Sequence, residues 1–197
     1  MNIRQMDKRV IPIPEGFDTG SQFVVGQFVS QFDDQTRLIK KRTQDLDVSQ
    51  LEWQPQPGIN TIGMLLAHIA VAECWWISVV PRGISPEAEV EQRFVDTLGL
   101  KMEDDGLPLG PEDVHPQSLR GKSAAAYHAL LDRARSASRQ TLRDWQDDDL
   151  ATEHPSLRAP VTRHWILYHV LEHTVAHFGQ ILLLQHMLQR ATGNQGE

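Results

Sequence analysis

The sequence predicts an all-α protein, a four-helix bundle with a long connection between its second and third helices. Three observations predict it. Four stretches carry apolar residues at steps of three and four, no stretch alternates convincingly, and clusters of Pro and Gly separate the helical stretches. No internal repeat or low-complexity segment interrupts the pattern.

Residues 1–20 contain Pro12, Pro14, Gly16 and Gly20, so they are predicted as an extended N-terminal arm. Ser21 is a candidate cap for a first helix reaching about Leu46, with Phe28, Phe32 and Ile39 as its core anchors. In the following loop, Pro55, Pro57 and Gly58 exclude a regular element, and Asn60 offers the next cap. The second helix is predicted from Thr61 to Val79. An insert then runs over residues 81–121, with a short helix from Pro86 to Leu98 and a loop rich in Gly, Pro and acid. The third long helix spans Ser123 to Trp145 and the last spans Thr162 to Arg190, which makes residues 21–190 the bundle and 191–197 a C-terminal tail.

Composition bounds the function. The net charge of −7, from 26 acidic and 19 basic residues, opposes a reader of nucleic-acid backbone. Cys74 is the only cysteine, so an intrachain disulfide is excluded and a reducing cytoplasm is expected. No window was expected to approach an 18-residue apolar span, and the N-terminus lacks the apolar run of a secretory signal, so no membrane partner is predicted.

The informative stretch is the last helix, TRHWILYHVLEHTVAHFGQILLLQHMLQR, where His169, His173 and His177 follow one another at i, i+4. With Trp165 at zero on a helical wheel, Ile166 and Leu184 fall near ~100°, His173 near ~80° and His177 near ~120°. His169, near ~40°, lies at the edge of the stripe, and His186, near ~300°, lies off it. On the second helix His68 shares its face with Met64, Leu65, Ala72 and Trp75, whereas Glu73 lies about 140° away.

A polar residue centred on an apolar face needs a buried reason. Singly, each histidine is as well explained by a hydrogen-bonded place in the core. A His-x3-His pair completed by a histidine from a facing helix also builds a three-nitrogen metal site with an open coordination position. The spacing therefore selects His68, His173 and His177 as metal ligands, with His169 beside them. An ion there would acidify a water or deprotonate a thiol.

The other histidines are weaker candidates: His128 is about 100° from the centre of its helix's apolar face, and His115 and His154 precede prolines in loops. The zincin pattern fails because Thr174 follows His173. The inverted pattern matches at His169 to His173, but Glu172 points over 100° from the core face. Cys74 faces about 120° away from His68 and is read as an inert apolar residue, while Trp75 faces with His68 and can wall a pocket. Lys40, Lys41 and Arg42 are read as a solvated face.

The stretches LEWQPQPGINTIGMLLAHIAVAECWW and YHVLEHTVAHFGQI resemble the second-helix and last-helix signatures of the DinB/YfiT-like superfamily of metal-binding four-helix bundles. The resemblance covers these two stretches well and residues 21–190 loosely, leaving the arm and the insert uncovered. It places the family's three metal-binding histidines at His68, His173 and His177. It also implies a divalent transition metal, often zinc or nickel, a small-molecule substrate and frequently a homodimer. Some relatives are similar to transferases that use mycothiol, bacillithiol or glutathione. Three readings follow: a metal-dependent thiol transferase, a metal-dependent hydrolase of small esters or amides, and a non-catalytic metal-binding stress-response protein.

Overall fold

The computed structural model describes residues 11–17, 20–83, 87–156 and 159–193. The start of the predicted arm, Pro86 at the predicted start of the short helix and the end of the predicted tail lie outside these residues.

Four long helices form the body: α1 (Phe23–Thr43), α3 (Ile62–Glu73), α5 (Ala124–Leu142) and α6 (Arg163–Gly193). Two short ones, α2 (Val48–Leu51) and α4 (Glu87–Leu98), lie in the connections. The all-α expectation holds, apart from a two-residue antiparallel pair, β1 (Glu153–His154) with β2 (Val161–Thr162), leading into α6. Two residues per strand are too few to show the alternation by which a strand is recognised in sequence.

Helix α3 is the core of the bundle. Eleven of its twelve residues are buried, every one except His68. It continues as a wider π-helical turn, Cys74–Val79, and a 3-10 turn, Val80–Arg82. The stretch Ile62–Arg82 reaches a mean hydropathy of 1.6 over an 18-residue window, contrary to the sequence expectation. Since 78% of that window is buried inside the bundle, its apolarity is spent on helix partners. Close approach to α5 depends on Gly63, where a Cβ would stand 2.5 Å from Tyr127 Oη. The predicted anchors Phe32 and Ile39 are fully buried, and Phe28 packs partly buried beside them.

The helix boundaries shift for identifiable reasons. Gln22, not Ser21, is the N-cap of α1. The first N–H groups of that helix are held from across the fold: Val24 N and Val25 N donate to the Asp147 carboxylate at 3.0–3.1 Å. Asp147 is thus a remote cap, and its charge also suits the positive end of the helix. The loop before α3 is not wholly irregular, because Asp47 and Gln50 make a capping box that starts α2. Thr61 rather than Asn60 caps α3, its hydroxyl accepting from Met64 N.

Glu73, predicted off the core face, is only 2% exposed because Arg135 of α5 reaches it at 3.0 Å. The same guanidinium bonds Thr36 and stacks over Phe32. Burial pushes the Glu73 carboxyl up in pKa, against the pull of Arg135. The wheel located Glu73 relative to His68 but could not show that α5 covers the opposite face as well.

Asp147→Ala should destabilise the fold by about 1 kcal/mol, the typical loss of an N-cap. Urea unfolding measures this, and an unchanged midpoint would remove the remote cap from the account.

Candidate metal centre

His68 leaves α3 towards α6, and His173 and His177, one turn apart on α6, face it. The three offer ligand atoms that all lie within 4.8 Å of one another. His68 Nε2 lies 3.1 Å from His173 Nε2, and His177 Nε2 lies 3.1 Å from the same atom. They are half-buried rather than core residues, since their end of the bundle opens into a cavity.

The tautomers are fixed from outside. His68 Nδ1 lies 2.7 Å from Asp105 Oδ2, and a carboxylate oxygen only accepts, so the ring donates there and leaves Nε2 as a lone pair. His177 Nδ1 donates to Gln180 Oε1 at 2.9 Å, with the same result. With the rings neutral, both Nε2 lone pairs point at His173 Nε2, which carries at most one proton, so one of the two 3.1 Å contacts has no hydrogen to share.

A cation fits this deficit. Two imidazole nitrogens in a tetrahedral set around zinc, at about 2.0–2.1 Å each, stand about 3.3 Å apart. The environment also favours the neutral form of His173 and His177, the form that ligates metal. Burial, then the neighbouring His177, His68 and His169, push the His173 pKa down to about 3. Burial likewise lowers His177, with Gln180 opposing.

Asp105 has no counterpart in the sequence prediction. It comes from the insert, is 2% exposed, and accepts the Leu107 N–H on its other oxygen at 3.0 Å. A carboxylate behind a ligating histidine is a recurrent device for orienting the ring. One acid among several in the run MEDDG gives no periodic signal, and only the fold shows which of them turns inward.

The insert is tied to α3 at a second point as well. His115, expected to be an ordinary loop residue, is 4% exposed with its Nδ1 2.9 Å from Thr61 Oγ1. That hydroxyl also accepts from Met64 N, and burial favours the neutral His115 ring, so one Thr61 oxygen joins the ring to the first turn of α3.

The cavity beside the histidines has a volume of about 510 Å³ and is lined by His68, His173, Trp75 and Trp76, among others. Trp75 stacks on Phe94 of α4 at 6.5 Å between centroids. Trp76 meets Trp165 edge-on at 5.1 Å and His169 at 5.0 Å, while Trp165 and His169 stack at 4.5 Å. His169 thus stands beside the cluster, 5.8 Å from His173 between ring centroids, as part of an aromatic wall. The π-helical turn that carries Trp75 and Trp76 is a feature that often marks functional sites.

The remaining candidates fall elsewhere. Glu172 is exposed, and its nearest approach to His169 is 3.9 Å. His128 bonds Thr43 Oγ1 at 2.8 Å, and His154 meets Arg163 at 3.3 Å. Cys74 is buried, which pushes its thiol up to about 11. Lys40, predicted to be solvated, is half-buried and reaches Asp132 at 2.6 Å. It lines a cavity of about 520 Å³ that includes none of the three clustered histidines.

The bundle and its histidine trio define a class of helical protein with a metal-type site between its second and last long helices. A model of the DinB superfamily matches residues 31–181, and the chain belongs to that superfamily. The fold is similar to the crystal structure of a DinB-like protein from Bacillus cereus ATCC 10987, with 20% identity, a TM-score of 0.57, and coverage of 86% of this chain and 93% of that one. It is also similar to a conserved protein from Enterococcus faecalis, with 18% identity, a TM-score of 0.60, and coverage of 82% and 94%. No curated protein matches the chain.

Burial lowers the His115 pKa, so below the ordinary value of 6.5 the unfolded chain binds a proton that the native ring resists. This contribution is complete above that value and is lost as pH falls below it. The metal-free chain should therefore melt at a lower temperature at about pH 5.5 than at about pH 7.5. His115→Gln should narrow that difference, and an unchanged one would contradict the neutral His115 bond.

Proposed function

We propose that this protein is a metal-dependent transferase acting on a low-molecular-weight thiol, with a divalent ion, zinc or nickel, seated on His68, His173 and His177. The observation that carries the reading is the convergence of three histidine Nε2 atoms, two of them on rings whose Nδ1 is engaged from outside, beside a cavity with two tryptophans. An ion in that seat supplies positive charge against which a thiol gives up its proton.

The rest is the work of the chain. Asp105 and Gln180 hold two ligating rings in the tautomer that presents Nε2. Trp75 and Trp76 offer apolar surface to the substrate and keep water from part of the cavity. In the reaction, sulfur forms a bond to an electrophilic carbon, the leaving group departs with its electron pair, and the thiol proton passes to solvent.

An ion in the same seat would acidify water as well as a thiol, so transfer and hydrolysis are separated by which substrate the loaded protein turns over, an electrophile in the presence of a thiol or a small ester. The non-catalytic reading is separated by assay. Metal-loaded protein should conjugate a thiol to an activated aryl halide, and chelated protein should not. If chelation collapses the fold while the loaded protein turns over neither electrophile nor ester, the transferase reading is lost.

His177→Ala should abolish stoichiometric metal binding by elemental analysis, whereas His128→Ala should leave metal content unchanged. Full metal retention in His177→Ala would contradict the three-histidine seat. Asp105→Asn should weaken metal affinity about tenfold or more, measured by competition with a chelator. Unaltered affinity would show that the carboxylate does not support the ligand.

A further inference from the structure

Away from the histidine seat, the rim of the cavity is acidic. Four carboxylates line it, those of Glu87, Glu91, Glu103 and Asp105, and no lysine or arginine lines it among the described residues. Asp105 is committed to His68, and Lys101 meets Glu91 at 2.7 Å and also feels the charge of Glu103. Glu87 opens α4 and Glu103 sits in the 3-10 turn Met102–Asp105, both on exposed stretches of the rim. Trp75 and Trp76 line the same cavity. Indole faces attract cations and carboxylates repel anions, so both discriminate in the same direction.

We infer that this cavity selects a thiol cosubstrate bearing an ammonium group and rejects anionic thiols. The inference rests on the transferase reading and specifies it. The thiol sulfur enters towards His68 and His173, and the cationic end lies by Trp75, Trp76, Glu87 and Glu103. A glutathione-like tripeptide, with two carboxylates, would bring like charge to that rim. The volume of about 510 Å³ accommodates a small aminothiol together with part of its acceptor. The chemistry predicted is transfer from an aminothiol: the sulfur–carbon bond forms, the leaving group takes its electron pair, the thiol proton goes to solvent, and the ammonium is unchanged.

Two thiols of similar length and opposite charge test this, cysteamine and 3-mercaptopropionate, with 2-mercaptoethanol as the neutral reference. Because their own acidities differ, the decisive quantity is how the ratio of their kcat/KM values changes in a variant. The full-length, metal-loaded protein should prefer cysteamine. In Glu87→Gln/Glu103→Gln, with metal content confirmed unchanged, the preference should fall about fivefold or more, and added salt should reduce it in the unsubstituted protein. A ratio unmoved by the double substitution, or a preference for the carboxylate thiol, would overturn the inference.

Tryptophan fluorescence titrated with ethanolamine and with propionate, neither of which carries a thiol, keeps the two claims apart. Selective quenching by the amine, lost in the double variant, supports the charge selection even if no thiol is turned over, in which case only the transferase reading fails. Equal response to both ions overturns the charge selection whatever the turnover result.

Discussion

The bond from His68 Nδ1 to Asp105 Oδ2, 2.7 Å long, joins the parts of this protein that matter to its site. It sets which nitrogen of His68 is free, and hence which atom can meet a cation. It also ties the long insert to the most buried helix of the bundle. The partners come from very different settings: His68 is the one residue of α3 that is not buried, and Asp105 is a carboxylate only 2% exposed. A buried carboxylate requires partners for its charge, and this one has a ring N–H and a backbone N–H. The site and the insert therefore form one unit.

That unit gives meaning to features that would otherwise be unconnected. The π-helical turn after Glu73 brings two adjacent tryptophans to one cavity, where Phe94 of α4 braces Trp75 and the start of α6 braces Trp76. His115 and Thr61 fasten the far end of the insert to the first turn of the same helix. Helix α3 is thus held at its cap, at its midpoint and at its widened end, while α5 fixes its opposite face through Glu73 and Arg135. A metal-type cluster needs ligands from separate helices held to fractions of an ångström, and this bracing provides that rigidity.

Much of the fold was legible in the sequence, because helical periodicity and Pro/Gly punctuation are local signals. The three clustered histidines were legible for the same reason: two lie four apart on α6, and His68 shares a face with apolar residues of α3. What was not legible depended on long-range partners. Asp147 as the cap of α1, Glu73 as a buried carboxyl met by Arg135 and Asp105 as the support of His68 all take their roles from residues between 37 and more than 100 positions away. An acidic residue in a polar run gives no hint of which way it turns. The half-buried state of the histidines was also missed, because a helical wheel shows the direction of a face and not whether a helix or a cavity lies in front of it.

The central claim is that His68, His173 and His177 hold one cation through their Nε2 atoms. X-ray absorption spectroscopy of the zinc-loaded protein tests it most directly. The account predicts a single zinc with three imidazole nitrogens at about 2.0–2.1 Å and a lighter-atom or solvent ligand completing the shell. A shell made mainly of carboxylate oxygens, or zinc that remains bound when all three histidines are replaced, would contradict it.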